Sequence, residues 1–113
     1  MLNQKITEKG VMRTVACLLE DDLRQELGIY GSYTVEKRVY DNNAQVLVYS
    51  DQTCNIISAS CVEDVMGVIT VYKHQYGRSL SWHFGTTKIG EGDDERILPC
   101  VLVNIMVVSG SGV

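Results

Sequence analysis

The chain has 113 residues, 45% of them apolar, which is the size and composition of one globular domain. Ten Lys and Arg against fourteen Asp and Glu give a net charge of -4, which argues against a phosphate-binding surface and hence against a nucleic-acid partner. A chain this long buries roughly two thirds of the surface it exposes when unfolded, so one core stabilises it without metal or disulfide staples.

Met12, Val15, Ala16, Leu19, Leu23 and Leu27 recur at three- and four-residue steps opposite Glu20, Asp21, Arg24 and Gln25. This spacing predicts an amphipathic helix over 8–28, with Gly28 placed for a left-handed cap. From Ser32 to Tyr40 the pattern alternates, with Tyr33, Val35 and Val39 on one side, and after the turn-forming Asp41-Asn42-Asn43 a β-branched run covers Ala44 to Tyr49. The two runs predict an antiparallel hairpin. Lys37 falls on its apolar side, where it either snorkels at an edge or guards an edge strand. Ser50-Asp51-Gln52 makes a turn, and Cys54 to Ala59 reads as a third strand.

Ser60-Cys61-Val62-Glu63 fits a capping box, and Val62, Val65, Met66, Ile69, Tyr72 and Tyr76 form a helical stripe ending before Gly77. A helix over 61–75 follows; its many β-branched residues leave a strand bulged at Gly67 as the alternative. Leu80, Trp82 and Phe84 alternate with Ser79, Ser81 and His83, as in a strand with one wet face. Gly90 to Glu95 reads as an exposed acidic loop. Ile97 to Val108 reads as a long central strand covered on both faces, with Pro99 near its start where a missing donor is tolerated. The expectation is an α+β two-layer sandwich: a mostly antiparallel five-stranded sheet with two helices, in the order α-β-β-β-α-β-β, forming a single domain over 1–113.

The N-terminus lacks the basic stub and apolar run of a signal peptide, and the longest apolar stretch is too short to span a membrane. Cys17, Cys54, Cys61 and Cys100 form no close pair, which predicts reduced, buried thiols, no structural disulfide and a cytoplasmic setting.

The motifs of chemistry are sparse. Cys54 with Cys61 and His74 with His83 lack zinc spacing, and the acidic run lacks the EF-hand pattern, so no metal site is expected. The glycine-rich stretches make no phosphate loop, and the paired carboxylates have no apolar pocket to raise a pKa. No catalytic residue and no cofactor is therefore predicted. An enzyme would have to use His83 as base, with Cys54, Cys61 or Cys100 as nucleophile.

Aromatic usage points elsewhere. Six tyrosines accompany one phenylalanine and one tryptophan, a balance that suits half-buried and interface positions. A small sheet with one helical layer leaves a face for another subunit, so the leading expectation is a non-enzymatic structural protein that homo-oligomerises through its sheet. Tyr33, Tyr40, Trp82 and Phe84 are the contact candidates. The order of elements resembles that of small phage tail-terminator and neck proteins, a resemblance of topology that implies a virion component. The alternative is an acidic module or inhibitor docking on a basic protein partner through Glu91, Asp93, Asp94 and Glu95, together with Asp21 and Asp22.

Overall fold

The computed structural model describes residues 5–28, 33–50 and 59–108. Two helices, α1 (Lys9–Leu27) and α2 (Ala59–Tyr76), accompany four strands: β1 (Thr34–Val39), β2 (Asn43–Tyr49), β3 (Leu80–Ile89) and β4 (Arg96–Met106). The strands form one fully antiparallel sheet in the order β1-β2-β4-β3. The α+β class stands, with four strands among the described residues rather than five. The strand expected at Cys54 to Ala59 lies outside the described residues except for Ala59, which begins α2.

Both helices follow their spacing. The apolar stripe of α1, from Met12 to Leu27, is buried, and Val65, Ile69 and Tyr72 are the buried face of α2. Tertiary burial therefore overrides the β-branched content of α2, and helix rather than bulged strand is observed. Its end is a left-handed Gly77, φ +56°. Two local expectations differ. Gly28 is right-handed, φ -57°, so α1 stops without a left-handed cap. Ser60 is the second residue of α2, so it is not the residue that caps the helix.

Helices and sheet meet in one core. Val35 on β1, Ala44, Val46 and Val48 on β2, Val101, Val103 and Ile105 on β4 and Leu80 on β3 pack against the two helix stripes. Each Val, Leu or Ile among them contributes about 1.5–3 kcal/mol by leaving water. The N-terminal segment closes one end: the Ile6 amide donates to Ser79 Oγ at 2.8 Å, and the Val108 amide donates to the Ile6 carbonyl at 2.7 Å. β1 is an edge strand, and Lys37 snorkels beside α1, with Nζ 2.9 Å from Cys17 Sγ and 3.8 Å from Glu20.

Part of the other sheet face is also closed. Leu47, Tyr49, Leu98 and Cys100 form a second buried cluster, flanked by Ile89 and Leu102. Among the described residues no helix lies there, and coiling of the sheet brings cover to this cluster. By register, Arg38 follows a row through Gln45 and Asn104 to Ser81, yet its guanidinium donates to Thr87, six positions further along β3, at 3.0 Å. Six residues of strand span roughly 20 Å, so only strong right-handed coiling brings the two together.

The expected acidic loop is a tight, exposed turn containing a short 3-10 segment, Gly92–Asp94. Gly90 has φ +82°, and a Cβ there would run into the Asp94 carbonyl oxygen. Gly92 has φ +59° with open space around it. Gly90→Ala should therefore destabilise the fold by about 1–3 kcal/mol, and Gly92→Ala by roughly 1 kcal/mol. Urea denaturation of both variants measures the difference, and equal costs would contradict the close approach at Gly90.

Candidate functional site

The hydrogen-bond ladder determines where the sheet has open backbone. The Tyr40 amide donates to the Asn43 carbonyl and the Val107 amide to the Asn42 carbonyl. Antiparallel residues alternate between facing their partner and facing away, so these two bonds fix the direction of every strand residue through the unbroken register. On β1 the outward residues are Val35, Lys37 and Val39. On β3 they are Leu80, Trp82, Phe84, Thr86 and Lys88.

The two edges are treated differently. β1 is six residues long, carries Glu36, Lys37 and Arg38, and has its Val35 carbonyl occupied by Arg24 at 3.0 Å. Short length, charge and side-chain capping all discourage further pairing. β3 is ten residues long. Its Leu80 is closed, because the amide bonds the Gly77 carbonyl and the carbonyl accepts from Lys73 Nζ at 2.6 Å. From Trp82 to Lys88, no hydrogen bond among the described residues reaches the outward amides and carbonyls.

Side chains reinforce the contrast. Trp82 lies opposite Val103 and Phe84 opposite Val101, which places both on the helix side of the sheet. The helices do not extend over them, so Trp82 is 38% and Phe84 59% exposed. Their rings meet edge to face, 5.4 Å apart at 88°, the geometry that aromatic quadrupoles favour. Ile97, opposite Lys88, is 62% exposed. The reading of β4 as covered on both faces therefore fails at its start, where the β3–β4 hairpin runs past the helices. Of the four expected contact residues, Trp82 and Phe84 stand together on β3. Tyr33 and Tyr40 flank β1 at the opposite edge, Tyr33 half-buried against the core and Tyr40 exposed. Sequence reasoning missed Thr86, Lys88 and Ile97; the turn glycines just beyond them were the available signal that this end projects.

The acidic candidates separate in the same way. Glu91, Asp93, Asp94 and Glu95 are all exposed at the β3–β4 turn. Asp21 and Asp22 are on α1, where Asp22 accepts the Tyr72 hydroxyl of α2. Burial, followed by this bond, pushes the Tyr72 phenol well above its ordinary range. A groove of about 200 Å³ lies beside this contact, lined by Asp22, Gln25, Glu26, Val68, Val71 and Tyr72. It adjoins one of about 300 Å³ that adds Glu63, Asp64 and Gly67.

On the coiled face, Tyr49 donates to Glu36 Oε1 at 3.0 Å, and Arg38 Nε donates to Glu36 Oε2 at 2.6 Å. The Arg38 bond is the main reason that the Glu36 carboxyl is held below its usual range; the Tyr49 bond also lowers it, against partial burial. This polar network borders the Leu47–Cys100 cluster. Burial pushes the Cys100 thiol up, so it is a poor nucleophile. His83 is exposed, two positions from the residue opposite Cys100, and no hydrogen bond among the described residues links the two. Cys17 is free and exposed, contrary to the expectation of a buried thiol, whereas Cys100 is free and buried. The Cys54 and Cys61 side chains lie outside the described residues. Among the described residues no group of three or more His, Cys, Asp or Glu converges, and no helix is long and apolar enough to cross a membrane. No family model matches the chain, and no curated protein matches it.

Two outcomes follow. A thiol probe mapped by mass should label Cys17 in the folded protein and spare Cys100 until denaturant is added; labelling of both at equal rates would contradict the buried cluster. A depressed folded-state pKa gives stability that is present above the unfolded pKa and lost as pH falls through the folded one. Wild type should therefore exceed Glu36→Gln in stability near neutral pH, and the gap should shrink as pH falls below the ordinary carboxylate range. Denaturation curves across that range measure it, and a gap independent of pH would remove the carboxylate from the account.

Proposed function

We propose that this chain is a non-enzymatic structural domain that assembles with copies of itself by strand addition along the outer edge of β3. The observation that carries this reading is the run of open backbone at Trp82, Phe84, Thr86 and Lys88, with two aromatic side chains standing exposed on the same strand. An exposed strand edge supplies main-chain hydrogen bonds to an added strand, and alternate side chains supply apolar contact. The notion that subunits meet through the uncovered sheet face gives way to an edge, because coiling already closes that face over Leu47, Tyr49, Leu98 and Cys100.

A repeating particle such as a phage neck or tail is the proposed setting, on the order of elements alone; a cytoplasmic assembly is the other. A second reading has support of its own. The carboxylates of Asp22, Glu26, Glu63 and Asp64 rim the exposed Val71 in the groove between α1 and α2, which suits a basic protein partner. Such binding would weaken steeply with salt, unlike apolar strand addition.

Light scattering across a concentration series tests the first reading. Wild type should show a discrete oligomer by about 100 µM, where an association free energy of roughly -5.5 kcal/mol is enough to populate it. Phe84→Lys should weaken association about tenfold or more, corresponding to about 1.4 kcal/mol, while Tyr40→Lys on the far edge should leave it unchanged. A wild-type monomer throughout the series would refute self-assembly.

A further inference from the structure

We infer that the partner of β3 is β3 of a second copy, in one register: Trp82 opposite Lys88 of the second copy and Phe84 opposite Thr86 of the second copy, around a two-fold axis at Gly85. This rests on the self-association reading above and adds the partner strand and its alignment.

The open positions themselves select the register. Leu80 is closed by Gly77 and Lys73 at one end. At the other, Gly90 turns the chain with φ +82°. That leaves Trp82, Phe84, Thr86 and Lys88, a set symmetric about residue 85. An antiparallel neighbour bonds only when its outward residues meet outward residues, so allowed registers move in steps of two. The centred register pairs all four open positions with all four of the second copy. A shift of two toward the strand start spends a pair on closed Leu80, and a shift the other way brings in Gly90. A two-fold axis perpendicular to the sheet then yields one continuous eight-stranded sheet with all helices on one side.

Side-chain chemistry agrees with this alignment. Lys88 is the sole charged residue among the four open positions. The register sets its ammonium against the Trp82 ring of the second copy and away from Lys88 of that copy, replacing like-charge repulsion by a cation–π contact. Phe84 faces Thr86 directly and Phe84 of the second copy diagonally, within the reach of aromatic side chains. The two edge-to-face Trp82–Phe84 pairs thus merge into a single four-ring cluster. β1 lacks this self-complementarity, because Arg24 occupies one of its three outward carbonyls.

Gly85 provides the test. It faces its own copy across the axis as a non-hydrogen-bonded pair, for which Cα atoms lie about 4.5 Å apart, within disulfide reach. A Cβ at this position makes ordinary contacts of 3.6 Å with the His83 ring, so a side chain fits. Cys100 lies opposite Gly85 within the chain and would compete, so the variants are made in a Cys100→Ala background. Under a mild thiol oxidant Gly85→Cys should give a covalent dimer as its main species. His83→Cys should give no more dimer than the background, since its two copies would be offset by four residues, roughly 13 Å. Should Gly85→Cys not fold, mixing Ser81→Cys with Ile89→Cys tests the same register, because these two positions face each other across the axis. A dimeric mass with cross-linking at 83, or at neither site, would overturn the register and leave self-association standing. A monomeric wild type without cross-links would overturn both.

Discussion

The central strand β4 is the constraint on which the structure depends. It is bonded on both sides, to β2 and β3, and alternates without a break from Leu98 to Ile105. Val101, Val103 and Ile105 point under the helices, while Leu98, Cys100 and Leu102 point into the coiled face. Because a one-residue slip would exchange these two sets, burial on both faces locks the register of the whole sheet. That register in turn decides which backbone groups of β3 face solvent. Pro99 fits the same logic. It lies one residue beyond the last β2 partner, on the side facing β2, so its missing donor costs no ladder bond.

Coiling explains how a sheet with helices on only one side avoids a wet apolar face. Arg38 reaches across to Thr87 while holding Glu36, which also accepts from Tyr49. Each polar group at this rim has a partner, which buried or half-buried charges require. The curled hairpin end shields Leu47 and Leu98, whose exposure is only 1% each. The same curl carries the hairpin past the helices, which is why Trp82, Phe84 and Ile97 are left in water on the opposite side.

Periodicity makes the helices, the β1–β2 hairpin and most of the core legible from sequence, since Met12 to Leu27 and Val65 to Tyr72 have only one face to bury. Exposure at the ends of elements was not legible. The alternation of Trp82 and Phe84 shows that the two share a face, and only the length of the hairpin relative to the helices reveals that no helix covers them. Long-range polar contacts were equally hidden: Arg38 with Thr87, Tyr72 with Asp22 and Lys73 with the Leu80 carbonyl join residues that no local pattern relates. Among the tyrosines, residue type suggested an interface but could not assign an edge, so Tyr33 and Tyr40 were grouped with aromatics that lie across the sheet.

The asymmetry between the two edges carries the functional argument. A strand edge that is never used is a hazard, and short length, charge and capping are the ordinary means of blunting it. β1 has all three. β3 has one charge near its end and a cap only at Leu80, and otherwise presents aromatic side chains beside open backbone. An apolar pair such as Trp82 and Phe84 gains nothing from water, so leaving it on the longer, uncapped edge costs solubility unless a partner covers it. Protection of one edge with exposure of the other is the physical asymmetry on which the proposed strand addition at β3 rests.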